Sequence, residues 1–298
     1  MSDRPEFKFL VNFPENAYDI IEKKPPLGSS IQNFETCLLL ISLERYPAAL
    51  TICATALESA WKAANGEGID CKVDLHKIYG EINATLPKDD PSFDLKAFRH
   101  LRNDIVHWGF SPKDDERSAK MIFETGIPVL FSYIKNHPNL DVDFKTWLDS
   151  DLFEHLRLTL DLNKKGRRHH IPAIESSTTL RHQIERMTLR QTMWQESALD
   201  DEPYSQQVEF EVKQRMKEWM FENWHCHEEF RCPVCTYHQL VVELEEASLK
   251  NRILKGVRAR CINCDLYFPN RSNYLLNILL EEQLSHSDKE QILMRYGV

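Results

Sequence analysis

Two short cysteine pairs constrain this chain more than any other feature. Cys232-Pro233-Val234-Cys235 and Cys261-Ile262-Asn263-Cys264 repeat one spacing, with 25 residues between them. A CxxC turn can bring two thiolates to one ion, and two such turns complete a tetrahedron of soft ligands that suits Zn²⁺. Four thiolates leave no open coordination position, so the expected zinc is structural and no catalytic metal is expected. Neither a redox dithiol nor chance pairing accounts for two matched turns. The sequence between them reads as strands, over 238–244 and around 256–260, within a small β module spanning roughly 228–270. Cys226 reads as a spare thiol. Cys37, Cys53 and Cys71 read as ordinary core or surface residues.

The compartment expected from the sequence agrees with metal-bound rather than disulfide-bonded cysteine. The start, MSDRPEFKFL, has no apolar core suited to a signal peptide. No run approaches the ~18 apolar residues of a membrane span. A reducing cytoplasm with no membrane partner is therefore expected.

The rest of the chain reads as helical. Gly is scarce, with 9 in 298 residues, and punctuation by Gly and Pro is correspondingly local. Residues 1–28 read as an irregular lead-in ending in Lys24-Pro25-Pro26-Leu27-Gly28. Helices are expected over about 31–45, 47–64, 73–85, 93–108 and 114–135, with Ser92 capping the fourth and a kink at Gly126–Pro128 in the fifth. An apolar stripe marks a further helix over 141–163. Lys164-Lys165-Gly166-Arg167-Arg168-His169-His170 follows as a basic linker, either a solvated hinge or a strip that tracks phosphates. Helices over 176–198 and 205–224 lead into the β module, and helices over about 272–283 and 286–295 close the chain. The fold class is thus mainly α, in three parts. Residues 1–137 form a helical bundle with its core at about 30–137. Residues 138–225 form a helical connector with the basic linker 164–170. Residues 226–298 form the cysteine module with its C-terminal helices.

The helix expected over 93–108 carries Leu101-Arg102-Asn103-Asp104-Ile105-Val106-His107-Trp108. A neutral His can accept a proton from a ribose 2′-hydroxyl, and an Arg fork can hold the phosphate and the charge that builds on it. Asn can orient the His or grip the substrate. Asn103 and His107 are one turn apart on one face, and Arg99 lies one turn before Asn103. Arg102 and His107 are five residues apart, roughly 140° around a regular helix. Either the helix end near Gly109 is distorted, or two chains contribute to one cleft.

The string Arg-Asn-x-x-x-His on a helix of an all-helical domain resembles the HEPN superfamily. The preceding Ala54-Thr55-Ala56-Leu57-Glu58-Ser59-Ala60-Trp61 is similar to the helix that comes before the motif helix there. The resemblance covers roughly residues 30–137. It implies a helical bundle that forms a homodimer with the motif at its interface, and a metal-independent endoribonuclease leaving 2′,3′-cyclic phosphate and 5′-hydroxyl ends. It implies Arg102 and His107 as the catalytic pair, with Asn103 as auxiliary. Glu58 is a weaker orienting candidate and fits equally well as a solvent-facing helix carboxylate. Arg99 has no fixed place in the pattern and reads as a phosphate contact. The substrates implied are tRNA or other single-stranded or loop RNA. The roles implied are those of a toxin or an antiviral, abortive-infection effector, restrained by an antitoxin or sensor or awaiting a phage-derived trigger. Some members are inactive scaffolds, which stays open as the alternative.

The cysteine module, which looks like a zinc ribbon, carries Arg258 and Arg260 with Tyr267 and Phe268 nearby. Basic residues with aromatics suit single-stranded nucleic acid, and they equally suit a solvated strand face over a small core. The formal net charge is −9, so RNA contact requires local patches. Residues 1–163 hold 18 Lys+Arg against 26 Asp+Glu, and the remainder holds 19 against 20. A third reading, a duplex-DNA-binding factor with a helical dimeriser, would show steep salt dependence and no RNA cleavage.

Overall fold

The computed structural model describes residues 15–86, 94–109, 111, 114–140, 142–148, 150–168, 180–184, 202–270 and 273–298. The chain divides into two compact units, Met1–Phe153 and Glu154–Val298.

The first unit is helical. Its elements are α1 (Glu15–Lys23), α2 (Pro25–Ser42), α3 (Tyr46–Asn65), α4 (Leu75–Thr85), α5 (Leu95–Trp108), α6 (Asp114–Met121), a π-turn (Ile122–Gly126), α7 (Ile127–Asn136) and the short α8 (Phe144–Trp147). The sequence reading of residues 1–28 as irregular is corrected here. Residues 15–23 are helical, and Pro25 and Pro26 open α2 rather than ending a loop. Proline's missing N–H costs nothing in a helix's first turn, where that donor has no partner anyway. Asp94 caps α5, its carboxylate accepting from the Ala97 amide. That is the role expected of Ser92, which lies outside the described residues.

α3 is the axis of this unit. Ala49, Ala54, Ala56 and Ala60 are fully buried along it, and their small side chains let α2 pack closely. Ser30 of α2 donates to the buried carbonyl of Ala56 at 2.8 Å. Gly66 ends α3 in the left-handed region at φ 69°. Leu50, Leu57, Phe34, Phe98 and Phe123 complete the core, each fully buried. Burying each such side chain contributes roughly 1.5–3 kcal/mol. The irregularity expected at Gly126–Pro128 is the π-turn, in which the Ile127 amide bonds back five residues to Ile122 O. Gly126 is required there, because a Cβ would meet Cys53 Sγ at 2.8 Å and Phe98 Cε2 at 2.9 Å.

The second unit contains most of α9 (Ser150–Arg168), then α10 (Glu202–Asn223), α11 (Glu246–Lys250), α12 (Asn273–Gln283) and α13 (His286–Arg295). The single helix expected over 141–163 is two, α8 and α9. Residues 164–168 of the expected linker are the helical end of α9, while His169 and His170 lie outside the described residues. Of the helix expected over 176–198, residues 180–184 are described and helical.

Four antiparallel strands form one sheet in the order β1 (His227–Phe230), β2 (Leu240–Leu244), β3 (Gly256–Cys261), β4 (Tyr267–Phe268). Leu240 pairs with Cys261 and Phe230 with Leu240, so the strand ends converge on the cysteines. Leu240, Val242, Ala259, Phe268, Leu276 and Leu279 bury the sheet against α12. α13 opens with a reciprocal capping box between Ser285 and Asp288.

Candidate functional site

The second unit brings all four predicted cysteines together. The sulfurs of Cys232, Cys235, Cys261 and Cys264 lie within 4.8 Å of one another. Cys232 and Cys264 are 3.5 Å apart, and Cys235 and Cys261 are 3.6 Å apart. Tetrahedral Zn²⁺ with ~2.3 Å bonds needs sulfur separations of about 3.8 Å, so the cluster fits such an ion. Both turns are built alike. The Thr236 amide returns to Cys232 O and the Asp265 amide to Cys261 O. Thr236 (φ 64°) and Asp265 (φ 59°) take the left-handed conformation that closes each turn.

The thiols perturb one another strongly. Hydrogen bonds from Cys261 and Cys264 hold Cys232 down at about 5, and the same contacts push Cys261 and Cys264 up. Packed sulfurs cannot all carry negative charge unless a cation sits among them. The donor set therefore can hold a metal ion.

Arg258 and Arg260, expected to bind substrate, are occupied within the module. Arg258 pairs with Glu243 on β2 and covers the Trp224 ring at 4.8 Å. Arg260 pairs with Asp265 at 3.0 Å and so braces the second cysteine turn.

The first unit gathers the helical candidates around α3, α4 and α5. The Arg102 guanidinium meets Glu58 at 3.6 Å, both side chains mostly buried at 18% exposure. Arg102 also donates to Asn103 Oδ1 at 3.2 Å. Glu58 is therefore not the solvent-facing carboxylate of the alternative reading. Burial pushes its pKa up, and the Arg102 and Lys62 charges pull back only in part. Among the described residues, Glu58 Oε1 and Arg102 Nε are buried without a hydrogen-bond partner, so the pair is not saturated.

Two residues that the sequence reading did not single out complete this cluster. Tyr79 of α4 is 4% exposed, and its hydroxyl has no hydrogen-bond partner among the described residues. Burial raises its pKa well above the usual phenol range. The Glu58 charge adds to that rise, and Arg102 and Arg99 oppose it. His76, one turn earlier on α4, accepts through Nδ1 from Arg99. Tyr79 falls in the apolar stripe Ile78, Tyr79, Ile82, so periodicity marks it only as core.

His107 is not part of this cluster. α5 stays regular through Trp108, and the Gly109 amide bonds to Ile105 O at 3.1 Å. The helix end is thus undistorted, and Arg102 and His107 remain roughly 140° apart. His107 is exposed between Val106 (48%) and Trp108 (87%).

No protein-family model, no curated protein and no solved structure matches this chain. Among the described residues, no helix is long and apolar enough to cross a membrane.

Proposed function

We propose that this chain is a HEPN-type, metal-independent endoribonuclease acting as a toxin or antiviral effector. The observation that supports this reading is the half-buried Arg102, steadied by Glu58 and Asn103, on the same helix as an exposed His107. In the proposed reaction His107 takes the proton of a ribose 2′-hydroxyl. The 2′-oxygen attacks the adjacent phosphorus, the 5′-oxygen leaves, and a 2′,3′-cyclic phosphate and a 5′-hydroxyl result. Arg102 carries the charge that builds on the phosphate. Because the two side chains diverge around α5, the active form is a two-fold dimer in which His107 of one copy meets Arg102 of the other. The four cysteines hold a structural Zn²⁺ and take no part in the chemistry.

A second reading, an inactive scaffold that binds nucleic acid or protein, draws on the charge. The net charge is −9, and Arg102, Arg258 and Arg260 each face a carboxylate. Cleavage of total RNA and tRNA in EDTA by wild type and His107→Ala, with end-group analysis, separates the two. Metal content is measured alongside, because chelation can unfold the cysteine module without touching the helical site. Cyclic-phosphate ends that vanish in the variant support the nuclease. Absence of cleavage by both proteins, even with infected-cell extract added, supports the scaffold.

A further inference from the structure

The Arg102–Glu58 pair is continuous with a second polar group that nothing in the proposed reaction uses. Arg99 precedes Arg102 by one turn of α5, and His76 precedes Tyr79 by one turn of α4. The two helices therefore set the pair Arg99–His76 beside the pair Arg102–Tyr79. His76 accepts from Arg99 through Nδ1, which leaves its Nε2 proton as a donor. Arg99 spends one donor on His76 and keeps the rest of its fork. Both side chains reach solvent, with His76 exposed and Arg99 half-buried. Behind them the Tyr79 hydroxyl is buried out of reach of solvent, with no partner among the described residues. Its ring is held in place against Phe98, with centroids 6.2 Å apart. The acidic residue at the cluster, Glu58, is engaged by Arg102. A donor-rich surface of this kind fits an anion with several acceptor oxygens.

We propose that His76 and Arg99 extend the Arg102 site into a surface for two successive phosphates of single-stranded RNA. Arg102 takes the first phosphate, and Arg99 with the His76 Nε2–H takes the second. The inference rests on the ribonuclease reading and adds a length requirement to it: the preferred ligand carries at least two internucleotide phosphates.

The test measures binding of a 2′-O-methyl dinucleotide (one phosphate) and a 2′-O-methyl trinucleotide (two phosphates) to the full chain. Methylation removes the attacking hydroxyl, so both ligands stay intact. Wild type is expected to bind the trinucleotide about tenfold tighter, the scale of one charge-assisted phosphate contact. Arg99→Ala and His76→Ala each collapse that preference to about twofold or less, and Arg99→Ala lowers the salt slope for the trinucleotide by about 0.7. His76→Gln, whose amide can donate, retains part of the preference. Arg102→Ala weakens both ligands. A tenfold preference that survives in Arg99→Ala and His76→Ala overturns the second phosphate position. Equal binding of the two ligands by a wild type that still cleaves RNA overturns this inference alone. Failure to bind either ligand, together with failure to cleave, overturns the ribonuclease reading as well.

Discussion

Gly126 sets how closely α3 and α5 approach, and replacing it measures that closeness. A Cβ built at Gly126 falls 2.8 Å from Cys53 Sγ, 2.9 Å from Phe98 Cε2 and 3.3 Å from Phe98 Cζ. Ordinary contact begins near ~3.5–4.0 Å, so two contacts overlap by roughly 0.6 Å or more. Cys53 and Phe98 are both fully buried, so neither can swing aside. Overpacking of this kind costs roughly 1–3 kcal/mol, and a clash against two immobile groups belongs at the upper end. Ala is the better helix former by about 1 kcal/mol, which leaves Gly126→Ala a net loss of about 2 kcal/mol. With a urea slope of about 2 kcal/mol per M, the unfolding midpoint falls by about 1 M. Gly80, helical and with nothing within 4 Å of its built Cβ, is the control. Gly80→Ala should gain about 0.5–1 kcal/mol. In a Cys53→Ala background, Gly126→Ala should lose much of its effect, because one of the clashing atoms is gone. Urea melts followed by far-UV circular dichroism read all five proteins: wild type, the two glycine variants, Cys53→Ala and the double variant. The reasoning is refuted if Gly126→Ala melts at or above wild type while Gly80→Ala behaves as expected.

The other expectations concern the two sites. The purified chain should carry one tightly held divalent metal, and Cys264→Ser should lose it and melt the cysteine module at a lower temperature; full metal content in that variant argues against a four-sulfur site. Because burial raises the Glu58 pKa, folding favours its protonated form, and the stability this residue contributes falls as pH rises from the usual glutamate range through the raised value. Glu58→Gln removes that loss, so its melting midpoint should gain on wild type across this window, and a pH-independent difference contradicts the assignment. Thr236→Gly should relieve the left-handed strain of a β-branched residue, for a net gain of roughly 0.5 kcal/mol after glycine's own entropy, and a lower melting midpoint counts against that account. If Arg102 and His107 act across a dimer, an equal mixture of Arg102→Ala and His107→Ala chains should recover about a quarter of wild-type cleavage, since half the dimers rebuild one of two sites. Recovery no greater than the single variants excludes a shared site.

Local signals were legible where one residue decides the outcome. Gly66 ends α3, and Ser285 begins α13 through its capping box, so those boundaries follow from the sequence. The two cysteine turns likewise carry their own spacing. Pro25–Pro26 misled because proline stops a helix from inside and starts one from its first turn, and sequence alone does not say which side of it the helix lies. β1 was missed because His227, Glu228 and Glu229 show no apolar alternation; its pairing with β2 fixes it as a strand. The arginines of the module show the largest gap. Residue type identifies Arg258 and Arg260 as cations, but their partners, Glu243 on the neighbouring strand and Asp265 in the turn beyond, appear only once the sheet is formed. The same holds for Tyr79 and His76, which reach the cluster because α4 packs beside α5.

The geometry of α5 constrains any chemistry assigned to its motif. Phe98 and Leu101 turn into the core, and Arg102 lies at the border of that buried face, where Glu58 meets it. His107 is nine positions beyond Phe98, which at ~100° per residue puts it on the opposite side of the helix. A side chain there faces away from the packed bundle, so no rotamer change brings it to the Arg102–Glu58 cluster of its own chain while the helix stays regular. The motif's short sequence spacing therefore does not describe one chain's active site. It describes a helix with a carboxylate-paired arginine on its inner border and an exposed histidine on its outer face, with Val106 and Trp108 exposed on either side of that histidine. Under the proposed ribonuclease reading, such a helix completes its site only against a second molecule. In the proposed reaction that molecule is another copy, and the apolar exposure beside His107 is the surface it would cover.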